Sequence, residues 1–277
     1  MQDIKIYAFS DEASPNIDNQ IQALLKNRLQ GMEIRNVDGT NISDITKEKA
    51  KEVKSKLDAS GLKVWSIGSP IGKIGITDSF KEHLEKFKHT LQIAEILNAK
   101  NLRMFSFFIP KDKSADLYTE KVFERIEKFA EIAKDYDITL CHENEKGIYG
   151  DNAERCLEIH KQFPTIKAVF DPANFVQCGV DTLKAWELLK NYVHYLHIKD
   201  ALSDGFVVPA CKGIGNVEKI TKDFMARGGK NFTIEPHLTV FSGFEALENG
   251  EELRTHYKFS SNDIAFDTAC ESFKTLL

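Results

Sequence analysis

Residues 139–147 read TLCHENEKG. The stretch opens as a buried β-strand and runs at once into His142, Glu143, Asn144 and Glu145. Apolar strand starts are ordinary, whereas four polar groups at a strand's end ask what holds a carboxylate there. Seven further apolar runs rich in β-branched and aromatic residues surround it: IKIYAFS (4–10), GMEIRNV (31–37), KVWSIGS (63–69), NLRMFSFF (101–108), KAVFDPAN (167–174), VHYLHIKD (193–200) and FTIEPHL (232–238).

Between these runs lie longer charged stretches with helical periodicity, the pattern of βα units that build a parallel sheet. In SFKEHLEKFKHTLQIAEILNA, Phe80, Leu84, Phe87, Leu91, Ala94 and Leu97 recur at spacings of three and four and share one face. Eight strands, nearly all followed by a helix, predict a single (β/α)8 TIM barrel over residues 1–277; a doubly wound sheet more often stops at five or six strands. The last helix, SNDIAFDTACESFKTLL, has Asn262 or Asp263 as its expected N-cap. The longest aperiodic segments, 70–78, 108–116, 201–215 and 239–261, follow strands 3, 4, 7 and 8. Loops in those places sit on the catalytic face of a barrel and are candidate lids and substrate walls.

Composition narrows the function classes. At 277 residues and 42% hydrophobic content the chain can bury a large core. A net charge of -5 argues against a protein that lives by neutralising phosphates, so no nucleic-acid partner is expected. Cys141, Cys156, Cys178, Cys211 and Cys270 form no C-x-x-C pair and suggest reduced thiols in a cytoplasmic, soluble protein. The N-terminal MQDIKIYAFSDEASP shows no basic region followed by an apolar block, so no export is expected, and runs such as MFSFFIP fall short of a membrane span.

A strand's period of two puts Thr139, Cys141 and Glu143 on one face, and Val169 with Asp171. Strand 7 contributes Val193, Tyr195, His197 and Lys199, and strand 8 contributes Thr233, Glu235 and His237. Four consecutive strands thus each aim a Glu, Asp, His or Glu from near their C-terminal ends. Unpaired, such buried groups would cost several kcal/mol, and a cation removes that cost. The donor set of Glu143, Asp171, His197 and Glu235 suits one divalent ion, Mn, Mg, Co or Zn, and lacks the thiolates of a structural zinc centre. Singly, each group has a plainer reading: Asp171 before Pro172 as a helix cap, Glu235 as a partner of Arg35 or Arg103 in the barrel interior. His142 and Asn144 point to the opposite face, where supporting hydrogen bonds are expected. Arg35 and Arg103 are read as interior charges in a network with Glu33. Most aromatic residues near strand ends, Trp65, Phe105, Phe107 and Phe175 among them, are assigned to the core.

Taken together, CHENE, FDPANF, LHIKD and TIEPH resemble the xylose isomerase-like TIM-barrel superfamily, with its tagatose 3-epimerase-like, inosose dehydratase-like and endonuclease IV-type branches. The resemblance covers essentially the whole chain. It implies one divalent metal held by Glu143, Asp171, His197 and Glu235, with Glu143 and Glu235 doubling as catalytic acid and base. It also implies a small-molecule carbohydrate substrate, and it leaves a homo-oligomer open, since family members are often dimers or tetramers. Two departures stand out: Asn174 occupies the place of a frequent family histidine, and in VVPACKGIGNVEKI, which resembles the family's glycine-rich lead into helix 7, Ile214 stands where a polar residue is common, while Lys212, Gly213 and Gly215 remain. The histidines and extra carboxylates of a three-metal endonuclease IV site are missing.

The expected chemistry is removal of a proton from the carbon next to a carbonyl, giving an enediolate that a divalent ion stabilises. Glu143 and Glu235 would flank the substrate as base and acid, with Asn174, Lys199 and His237 as substrate contacts. This predicts a metal-dependent sugar or sugar-phosphate isomerase/epimerase. The alternative is a metal-dependent dehydratase of a keto-inositol or related polyol; an endonuclease IV-type enzyme or a non-catalytic sugar-binding barrel ranks lower.

Overall fold

The computed structural model describes residues 3–241 and 256–277. Eight parallel strands close into a barrel: β1 (Lys5–Ala8), β2 (Gly31–Ile34), β3 (Lys63–Ile67), β4 (Asn101–Met104), β5 (Thr139–Glu143), β6 (Lys167–Phe170), β7 (Val193–Ile198) and β8 (Asn231–Ile234). Neighbours in sequence are neighbours in the barrel, and β1 pairs with β8 in the register Lys5 to Asn231 through Ala8 to Ile234, which closes the ring. This is the (β/α)8 TIM barrel that the alternation predicts.

Helices α1 (Ile17–Lys26), α2 (Lys47–Ala59), α3 (Phe80–Leu97), α4 (Thr119–Ala133), α5 (Ala153–Gln162), α6 (Pro172–Gln177), α7 (Thr182–Leu189), α8 (Val217–Ala226) and α9 (Asn262–Lys274) lie outside it. On α3 the predicted apolar face is in place: Phe87, Leu91, Ala94 and Leu97 are buried, and Phe80 and Leu84 pack against the core at its edge. Asn98 ends that helix in the left-handed conformation, at φ 55°, a position asparagine tolerates better than most residues. The main core fills the space between sheet and helices, while a smaller cluster of Cys141, Val169 and Tyr195, with Trp65 against it, fills the barrel interior. No helix among the described residues is long and apolar enough to cross a membrane.

Three local expectations are corrected. The run 167–174 is not strand throughout: β6 stops at Phe170 and α6 begins at Pro172, whose missing N–H is no loss at a helix start. The N-cap of α9 is Ser261, whose side chain accepts from the Ile264 N–H, rather than Asn262 or Asp263; its extended backbone suits the cap position. The segment 201–215 is not wholly loop, since Asp200–Ala201 pairs antiparallel with Val207–Val208. Of the predicted loop 239–261, residues 242–255 lie outside the described residues.

Candidate metal and proton-transfer site

The interior apolar layer is the floor of the site. One strand period above Cys141 and Tyr195 come Glu143 and His197, and Asp171 and Glu235 follow the ends of β6 and β8. All four are buried, and one ligand-capable atom from each lies within 4.8 Å of the others. The structure therefore brings together the quartet expected from strand parity.

Each member is held by identifiable contacts. His197 turns Nδ1 toward Glu143 Oε1 at 2.9 Å and Glu235 Oε2 at 3.4 Å, while Nε2 faces Glu33 Oε2 at 3.0 Å. Glu33 is fixed in turn by the Tyr195 hydroxyl, which donates to Oε1 at 3.0 Å. Asp171 divides its two oxygens between two tasks. Oδ1 accepts from the Asn174 N–H at 3.0 Å and caps α6, and Oδ2 faces the cluster. The helix-cap and site readings of Asp171 thus hold together. Asn144, one residue past the end of β5, ties the backbone of Asp171 through both its amide oxygen and its nitrogen, at 2.9 Å each.

Arginines compensate the carboxylates. Arg103 donates to Glu143 Oε2 at 3.1 Å. Arg35 donates to both oxygens of Asp11, to Glu12 Oε1 and to Glu235 Oε1. Its guanidinium lies 4.5 Å from the Phe9 ring centre and 4.4 Å from that of Phe241. The expected network of both arginines with Glu33 is therefore differently wired: each meets a candidate-site glutamate directly, and Glu33 goes to His197. Phe105, Phe107 and Phe175 are fully buried, as expected for core residues.

Lys199 and His237 stand at the same level. Lys199 Nζ lies 3.1 Å from Asp171 Oδ2 and 3.1 Å from Glu235 Oε2. His237 Nδ1 lies 2.9 Å from Glu12 Oε1, and its backbone N–H donates to Glu12 Oε2 at 2.6 Å. Asn174 commits its amide nitrogen to Asn144 O at 2.9 Å and Glu143 Oε1 at 3.3 Å. It therefore steadies Glu143.

These contacts set the charge states. Burial pushes the Glu143 carboxyl up, but His197 and Arg103 outweigh it and hold the group at about 2. Glu235 is held well below the usual range, with Lys199 and His237 overcoming burial. Burial dominates at Asp171 and raises it to about 7 despite Lys199. Against burial, Glu143 and Glu33 raise His197 well above its ordinary value, and Glu12 and Glu235 raise His237 to about 9.

The donor chemistry fits a divalent cation. Six buried carboxyl groups, Asp11, Glu12, Glu33, Glu143, Asp171 and Glu235, face three obligate cations, Arg35, Arg103 and Lys199. Asp171 Oδ2 accepts no well-formed hydrogen bond, although the Lys199 ammonium is near; the 3.1 Å separation marks proximity without good hydrogen-bond direction. An under-satisfied carboxylate oxygen aimed at three other converging ligand groups is what a resident cation relieves. Glu12, Glu235 and His237 also lie within reach of one another, but Arg35 already occupies that side with a positive charge.

Strand parity alone did not bring in Glu33, Asp11 and Glu12 as partners of this site. For Glu33 and Arg35 the signal was available, since the same alternation applied to β2 turns both inward. Asp11 and Glu12 sit in a short 3-10 turn after β1, where no periodicity announces direction.

Comparison with known proteins agrees with this architecture. The family model for the xylose isomerase-like TIM barrel matches residues 21–237, and the chain belongs to that family. No curated protein matches it in sequence. Among solved structures, the probable 3-DHS dehydratase AsbF of Bacillus anthracis superposes with a TM-score of 0.75 at 14% identity, over 98% of this chain and 99% of that one. The IolI protein with a bound zinc atom gives 0.75 at 13% identity, over 99% and 98%. D-psicose 3-epimerase of Clostridium cellulolyticum H10 with D-tagatose gives 0.72 at 12% identity, also over 99% and 98%. At such identities the likeness is one of fold.

Proposed function

We propose that this protein is a divalent-metal-dependent isomerase or epimerase of a keto sugar, moving a proton on the carbon next to the carbonyl. The observation that carries the proposal is the buried convergence of Glu143, Asp171, His197 and Glu235 at the mouth of the barrel. A divalent ion held by these four residues would supply Lewis acidity toward a carbonyl and its neighbouring hydroxyl. The chain supplies the rest. Glu143 and Glu235 arrive from β5 and β8 and both reach His197 Nδ1, at 2.9 Å and 3.4 Å, so an ionised one would take the proton and, once protonated, return it. Both are held ionised, Glu143 by His197 and Arg103 and Glu235 by Lys199 and His237. Lys199 and His237 bring positive charge to the rim, where substrate oxygens would meet it, and Asn174 orients Glu143. Solved neighbours with bound zinc, and with D-tagatose bound to an epimerase, support the metal and the carbohydrate class. A cytoplasmic setting, with all five cysteines unpaired, and a single domain over residues 1–277 belong to the same proposal.

The second reading is a dehydratase, favoured by the structural likeness to a probable 3-DHS dehydratase. It begins with the same proton abstraction and then expels hydroxide from the adjacent carbon. Elemental analysis of the purified protein, with solvent-deuterium exchange into keto sugars and inososes, tests both. The expected result is one divalent ion per chain and exchange that Glu143→Gln and Glu235→Gln abolish. Loss of one water from the product mass would move the assignment to the dehydratase. If no divalent ion binds even at millimolar supply, the metal-dependent reading fails.

A further inference from the structure

Lys199 occupies an unexpected position for a group that should only meet substrate. Its ammonium lies 3.1 Å from Asp171 Oδ2 and equally 3.1 Å from Glu235 Oε2. Those residues supply two of the four converging ligand groups. The side chain is 5% exposed, so water screens its charge poorly. We propose that Lys199 is a built-in counter-cation of this cluster, which holds Asp171 and Glu235 in place without a metal and lowers the affinity of the site for a divalent ion.

The inference rests on the metal reading above and goes beyond it by naming the residue that sets the affinity. A divalent ion bonds carboxylate oxygens at about 2.0–2.6 Å. An ion bound to Asp171 and Glu235 would therefore come within a few ångströms of an ammonium 3.1 Å from the same two groups. Two like-charged species in so dry a place repel strongly, whether or not both can touch the carboxylates together. Either Nζ withdraws along its flexible four-carbon stem when the ion enters, or it stays and weakens the ion's hold. Both outcomes make loading weaker than the four ligands alone would allow.

The test measures binding directly, with no need for turnover. Mn²⁺ and Zn²⁺ are titrated calorimetrically into the metal-stripped full chain at pH 8, for wild type, Lys199→Met and Lys199→Arg. Lys199→Met should bind at least tenfold more tightly, and Lys199→Arg, which keeps the charge, should not. Metal-free Lys199→Met should also melt below metal-free wild type, with the order narrowing or reversing once Mn²⁺ is saturating. Unchanged or weaker binding by Lys199→Met overturns the proposal and leaves Lys199 as an ordinary support of the ligands. If Lys199→Met does not fold, Lys199→Gln takes its place under the same criteria. Failure of every variant and of wild type to bind either ion would instead overturn the metal reading itself, a result distinguishable from the first.

Discussion

Glu33 and His197 face each other across the barrel interior with Oε2 and Nε2 3.0 Å apart, and both side chains are completely buried. A carboxylate behind an imidazole fixes the proton on the nitrogen nearer to it and leaves the other nitrogen, here Nδ1, directed at Glu143 and Glu235.

Replacing Glu33 by Gln should therefore weaken divalent-ion binding by roughly 10–100-fold while leaving the four ligand groups intact. The neutral amide can still accept from Nε2 but no longer makes Nδ1 the more electron-rich ligand that a carboxylate behind the ring does. Isothermal titration with Mn²⁺ measures the effect. An unchanged affinity would mean that Glu33 serves only the packing around Tyr195 and Ser66, with which it also bonds.

Arg103 is the fixed cation that donates to Glu143, and it is buried with it. Arg103→Met should cost about 3–5 kcal/mol of unfolding free energy, because an uncompensated carboxylate stays buried. It should also raise the Glu143 pKa from about 2, where His197 and Arg103 now hold it. The acid limb of any pH–activity profile would then move to higher pH. Urea denaturation at pH 7 checks the first effect. A change within the ordinary range of surface substitutions would contradict it.

Two buried histidines tie stability to pH. His83 Nε2 accepts the Gly72 N–H at 2.8 Å, which requires a neutral ring, and burial lowers its pKa to about 4. Burial lowers His160 likewise to about 4. Unfolded, each titrates near 6.5, so between 6.5 and 4 the unfolded chain binds protons that the folded chain refuses. Their stabilising contribution is complete above pH 6.5 and is lost as pH falls toward 4, on the order of 3 kcal/mol for each group. His83→Gln keeps an acceptor for Gly72 and removes the titration. Its stability should fall less steeply than that of wild type from pH 7 to pH 4.5, and parallel slopes would reject the assignment.

Asp200 organises the segment that follows β7. Its carboxylate accepts the N–H groups of Ala201 at 2.9 Å, Gly213 at 3.0 Å and Gly215 at 2.9 Å. A Cβ on Gly213 would come within 2.3 Å of the Ala201 carbonyl oxygen, backbone against side chain with no room to yield. Asp200→Ala should cost about 2–3 kcal/mol through the stranded N–H groups. Gly213→Ala should also destabilise the chain by displacing this loop. Thermal melts report both, and hydrogen exchange at 211–215 should rise in each. Protection equal to wild type would show that the loop is held by other contacts.

Much of this protein was legible before folding. The order of the strands along the chain determined the barrel, because βα units with short links place sequence neighbours side by side. Strand alternation then determined which faces of β5 and β7 look inward, and so placed Glu143 and His197 together above Cys141 and Tyr195. What alternation could not supply was the partner of each charge. Arg35 and Glu235 are 200 positions apart and meet because β1 and β8 close the ring. Lys199 lies between Asp171 and Glu235 because β7 runs between β6 and β8, after whose ends those carboxylates stand. Asp171 turns from strand to helix cap because Pro172 starts α6 one residue later. Local periodicity fixes direction along one element, whereas pairing among buried charges depends on distances across the closed barrel, which exist only once the chain has folded.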